Sequence, residues 1–140
     1  MRGFAILLEL LLATFLLLIA GLQLFNPQIR IFGSILLLVG GWFAVHGCLI
    51  WVKPVMLRNV FFALLSVAVP LILMLWHFFP TWENELVVSS GDGEVYRTTA
   101  QPGLIMLMEV IIVDGTLLVV VILNLIAIWE SYREDRKVSA

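Results

Sequence analysis

Four long apolar runs, 4–25, 31–52, 55–79 and 104–129, leave this 140-residue chain little choice of solvent. The hydrocarbon core of a bilayer is about 30 Å thick and takes about 20 apolar residues to cross as a helix, so each run is long enough to span. With 62% of residues hydrophobic and 13% charged, a water-soluble fold would have nowhere to hide its apolar surface. The expectation is an all-α integral membrane four-helix bundle, one domain over residues 1–140, with an outer loop at 80–103 and a cytoplasmic tail at 130–140.

Two function classes are excluded at this level. A formal charge of −2, with the few cations placed beside spans, offers no basic surface for nucleic acid. The lone Cys48 permits no internal disulfide, no paired-thiol redox motif and no cysteine-built zinc site. The start, Met1-Arg2 before an apolar stretch, is read as a membrane span rather than a cleaved signal, because the run is long, carries Glu9 and lacks a small-residue cleavage site.

Orientation follows from the cations. With a cytoplasmic amino terminus, Arg2, Lys53, Arg58, Arg133, Arg136 and Lys137 lie inside and Arg30 and Arg97 outside. This positive-inside bias predicts both termini in the cytoplasm and a multi-pass protein of the bacterial inner membrane. Lys53-Pro54 is so short a link that spans two and three must form a tight antiparallel hairpin. In the outer loop, β-prone stretches flank Ser90-Gly91-Asp92-Gly93, which predicts a small β-hairpin between helices three and four. The mixed charges of the tail predict a frayed helical extension.

The spans also carry small and polar faces. Gly33, Gly40 and Gly47 recur every seven residues in span two, and Ala44 completes a Gly-x-x-x-Ala step, which marks a helix-packing interface. Asn59, Ser66 and His77 share a stripe of span three with Ala63 and Pro70, while Glu109, Thr116 and Asn124 share one in span four; these five polar side chains other than the acid, Asn59, Ser66, His77, Thr116 and Asn124, are expected on a polar inner face. Glu9 shares its face with Ala13, Ala20 and Gln23.

Three acids lie inside the spans, where an ionised side chain near the bilayer centre costs at least about 2.5–3.5 kcal/mol. Glu9 and Glu109 are each expected about 9 Å inside opposite edges, and Asp114 near mid-membrane, about 140° around the helix from Glu109. Thr14, Ser66 and Thr116 reach about the depth of Asp114 and offer it hydroxyl partners without a cation. As a neutral acid Asp114 would lock helices through one hydrogen bond; as a titrating one it would carry protons. Asp114, Glu109 and Glu9 are therefore the candidate proton or ion relay.

No catalytic or metal-binding motif is present: no HExxH, no phosphate loop, no serine, histidine and acid set, and no calcium-ligand series around Asp92. His46 and His77 sit toward opposite ends of their spans, on the order of 20 Å apart along the membrane normal, so they cannot share one haem. No cofactor is expected, a haem or quinone near His77 being the one option the sequence raises. The first expectation for function is a non-enzymatic membrane subunit or accessory protein, its partners the bilayer and other membrane subunits or further copies of itself. The second is a small proton-coupled or ion-conducting transporter using the intramembrane acids. A third is a redox-complex subunit lining a quinone or haem site.

Overall fold

A computed structural model of the chain describes residues 1–82, 85–89, 95–99 and 104–139. Its four helices are α1 (Arg2–Leu24), α2 (Arg30–Val52), α3 (Val60–Trp82) and α4 (Leu104–Val138), all long and apolar enough to cross a membrane. The chain is thus a multi-pass helical membrane protein. Leucine and phenylalanine side chains such as Leu11, Leu22, Leu38 and Phe61 point outward, while alanine, glycine and polar side chains point inward. That inversion of a soluble core is what a lipid solvent permits, since lipid tails satisfy leucine as well as a protein interior does.

Two boundaries differ from the sequence reading. Pro54 opens not α3 but a separate 3-10 turn, Pro54–Arg58, whose fixed proline φ suits a first-turn position. Asn59 then starts α3 as its cap, with Oδ1 accepting from the backbone N–H of Phe61 at 3.0 Å and of Phe62 at 3.3 Å. Asn59 is exposed and is not part of an inner polar face. Asn59→Ala should cost about 1 kcal/mol of stability and Asn59→Asp almost none. Equal loss from both in detergent unfolding would deny the capping role.

The expected hairpin is not established as part of the fold. Glu85–Ser89 and Val95–Thr99 pair antiparallel, but the turn that would join them, 90–94, lies outside the described residues. Among the described residues, four helices are long and apolar enough to cross a membrane.

The helices form two compact units, Met1–Val67 with Val120–Ala140, and Ala68–Val119. In the first, α1 and α2 pack as an antiparallel pair through the glycine stripe. A Cβ on Gly33 would lie 3.0 Å from the backbone nitrogen of Leu24 and 3.2 Å from the carbonyl of Ala20. One on Gly40 would meet Leu17 at 3.0 Å, and one on Gly47 would meet Leu10 at 3.2 Å. The stripe is therefore consumed within the chain by α1. Its neighbours one residue on, Ser34 and Cys48, are exposed, and a Cβ on Gly41 would meet nothing within 4 Å. Ala44 is half-buried between the two.

The end of this unit is closed by an apolar cluster of Ile6, Ile50, Leu57 and Ala127, with Leu10, Phe62 and Ile128 against it. Leu57 brings the 3-10 turn into that cluster. The same turn is tied to the last part of α4 by Arg58, which donates to Asp135 at 2.9 Å, while the Tyr132 hydroxyl donates to the Arg58 carbonyl at 2.8 Å. Residues 130–138 thus continue α4 as a docked helix rather than a frayed end.

Candidate functional site: two histidine–carboxylate clusters

In the first unit, α1 delivers Glu9, α2 His46, α3 Ser66 and α4 Asn124 to one point, and all four are at least 98% buried. His46 Nδ1 is 2.7 Å from Glu9 Oε2, and His46 Nε2 is 2.6 Å from Ser66 Oγ. Asn124 Nδ2 donates to Glu9 Oε1 at 2.7 Å and to the Ser66 carbonyl at 2.9 Å.

The hydrogens can be counted. Ser66 Oγ lies 2.7 Å from the Phe62 carbonyl and donates to it, so His46 Nε2–H donates to Ser66. Both Asn124 partners are acceptors, which fixes the orientation of its amide. One hydrogen is left to lie between His46 Nδ1 and Glu9 Oε2. Whether it sits on the imidazole or on the carboxyl, the pair is neutral as a whole, which makes it tolerable in a dry interior. Trp42 and Phe62 stack on the ring, with centroids 5.7 and 5.1 Å away. With both nitrogens engaged, His46 has no position left for ligating a haem.

Pro70 explains why Asn124 has two acceptors to bridge. It has no N–H for the carbonyl four residues back, which is that of Ser66. The vacancy is filled by the Asn124 amide. The freed carbonyl is Ser66's own, and its donor comes from α4 while the Ser66 hydroxyl donates to the Phe62 carbonyl.

In the second unit, α3 supplies His77 and α4 supplies Glu109 and Asp114. His77 Nδ1 is 3.1 Å from Asp114 Oδ1, and His77 Nε2 is 3.7 Å from Glu109 Oε1. The imidazole thus lies between two carboxyl groups. The Asp114 side chain is 9% exposed against 28% for His77 and 58% for Glu109. Asp114 Oδ2 is buried with no partner among the described residues.

This differs from the expectation that hydroxyls serve Asp114 and that it is unconnected to Glu109. The separation by about 140° holds for Cβ directions, but the three-carbon reach of a glutamate and the two-ended imidazole bridge it. The hydroxyls expected to serve Asp114 are satisfied elsewhere: Thr14 donates to the Leu10 carbonyl, Thr116 to the Ile112 carbonyl and Ser66 to the Phe62 carbonyl.

Of the side chains singled out in the sequence, the structure joins Glu9, Ser66 and Asn124 in one cluster and His77, Glu109 and Asp114 in another; Asn59 and Thr116 belong to neither. The pairing of His46 with Glu9 escaped the sequence reading. Its signal was depth: Glu9 lies seven residues from the start of α1 and His46 six from the end of α2, at the same end of an antiparallel pair. Among the described residues no group of three or more His, Cys, Asp or Glu side chains is arranged to hold a metal ion. Comparison with protein-family models, with curated proteins and with solved structures finds no match to this chain.

Proposed function

We propose that this protein is a small proton-exchanging transporter, with His77, Asp114 and Glu109 as the exchanging group and the Glu9–His46 cluster as its fixed scaffold. The observation that carries the reading is His77 seated between two carboxyl groups inside apolar helices. An imidazole with its N–H on Nδ1 donates to Asp114. A second proton gives it a donor for Glu109 as well, so the group has a partner in each protonation state. The partial exposure of His77 and Glu109 provides a route for the proton, which the sealed Glu9–His46 pair lacks.

The orientation we propose is the inner membrane with cytoplasmic termini, supported by six of eight cations falling on one side. The connection between α3 and α4 is then on the outer side.

The test is an imposed pH gradient across proteoliposomes containing the full chain, with potassium and valinomycin to carry compensating charge. Wild-type protein should collapse the gradient at least about ten-fold faster than His77→Gln, since an amide cannot titrate. A wild-type rate equal to that of empty liposomes removes the transporter reading. A second reading, a non-enzymatic subunit of a larger assembly, then takes its place. It is favoured by the face of α2 at Ser34, Gly41 and Cys48, where Ser34 and Cys48 are exposed and, among the described residues, a Cβ on Gly41 would meet nothing within 4 Å.

A further inference from the structure

Beyond Trp129, α4 carries the acids Glu130, Glu134 and Asp135 and the cations Arg133, Arg136 and Lys137. Mixed in sequence, the two signs are sorted around the helix. At about 100° per residue, Arg133 and Arg136 lie within about 40° of Trp129, whereas the three acids lie about 100–140° from it. Two of those acids meet cations of other elements: Asp135 accepts from Arg58 at 2.9 Å, and Glu134 lies 4.0 Å from Arg2. Glu130 is half-buried. Arg133 and Arg136 are exposed and form no ion pair among the described residues. The face that carries them is also the one α4 shows to lipid. Ile122 and Leu125 again lie within about 40° of Trp129, and the three are 48, 50 and 70% exposed, while Asn124, Ala127 and Ser131 on the opposite side are buried. One stripe thus runs from apolar side chains through an interfacial tryptophan to two guanidinium groups, Arg133 about 6 Å and Arg136 about 10 Å beyond Trp129 along the axis.

We infer that this stripe binds an anionic phospholipid lengthwise, its acyl chain against Ile122 and Leu125 and its phosphate at Arg133 and Arg136. Apolar, then aromatic, then cationic is the order in which a phospholipid presents its complements, from chain to headgroup. Guanidinium groups make two-point contacts with phosphate oxygens, and here no carboxylate competes for them on the same face. The headgroup is anionic rather than zwitterionic, because a choline would bring its own cation to the two arginines. The contacts of Arg58 with Asp135 and Tyr132 dock the extension and keep it helical, which holds both arginines in line with the stripe.

The test takes the full chain in mild detergent and titrates it with dioleoylphosphatidylglycerol or dioleoylphosphatidylcholine, counting bound lipids by native mass spectrometry. The first phosphatidylglycerol should bind at least about ten-fold more tightly than the first phosphatidylcholine, and Arg133→Gln and Arg136→Gln should each weaken it about five-fold, the contribution of one cation at the headgroup. Lys137→Gln removes the same charge about 80° away from Trp129 and should change the affinity less than about two-fold. All three side chains are exposed, so the fold tolerates each replacement. Equal binding of the two lipids would overturn the inference. A loss at Lys137 as large as at Arg136 would do the same, since it would reduce the effect to charge without placement. Displacement of the lipid by soluble glycerophosphoglycerol at equal concentration would also overturn it, by showing an anion site that makes no use of the acyl chain.

Discussion

Glu9→Leu and His46→Leu should each destabilise the protein by about 3–5 kcal/mol, because either change strands a buried polar group whose partner has gone. Glu9→Gln should cost far less. Its amide oxygen can still accept from Asn124 and its N–H can donate to the neutral His46 Nδ1, so every bond in the count above has a counterpart. The double variant Glu9→Leu/His46→Leu should recover much of the loss of either single one, since removing both partners leaves no uncompensated charge. Unfolding in detergent, followed by tryptophan fluorescence, measures all four. Single variants within 1 kcal/mol of wild type, or a double variant as unstable as the two losses added, would show that the pair does not hold the four helices together.

Along α2 a second large difference is expected between glycines that look alike in sequence. Gly33→Ala should cost about 1–3 kcal/mol, and Gly33→Leu more, because the added carbon meets backbone atoms of α1 that cannot step aside. Gly40→Ala meets the flexible end of Leu17 and should cost less. Gly41→Ala, facing open space, should be neutral or stabilising by about 0.5–1 kcal/mol through helix propensity. The order Gly33, Gly40, Gly41 in thermal unfolding is the measurement. A large loss at Gly41 would instead place a partner on that face.

The spans were legible because length and apolarity are the same quantity the bilayer tests, and three of the four begin within two residues of where the sequence puts them. The glycine stripe was legible too, since a repeat of seven lies on one face whatever it packs against. What periodicity cannot supply is the partner. It groups Glu9 with Ala13, and Ser66 with Asn59 and His77, because each set shares a face of its own helix. The clusters form across helices, where the ruler is depth rather than angle. Counted from the turn between α1 and α2, that ruler would have brought Glu9 to His46. Hydroxyl groups misled for a different reason. A serine or threonine inside a helix has a carbonyl of its own one turn back and needs no partner from elsewhere.

The bridge made by Asn124 also bears on how the protein is made. Spans emerge in chain order, so α1, α2 and α3 are complete while α4 is still being synthesised. At that stage Glu9 and His46 have each other, but Glu9 Oε1 and the carbonyl that Pro70 leaves open are acceptors with no donor in a medium that offers none. A single amide on the last span satisfies both at once. The three-span intermediate is thereby left incomplete by two hydrogen bonds at its centre. The final helix arrives at a place already prepared for it, and a chain truncated before residue 124 would carry that vacancy as a mark of unfinished assembly.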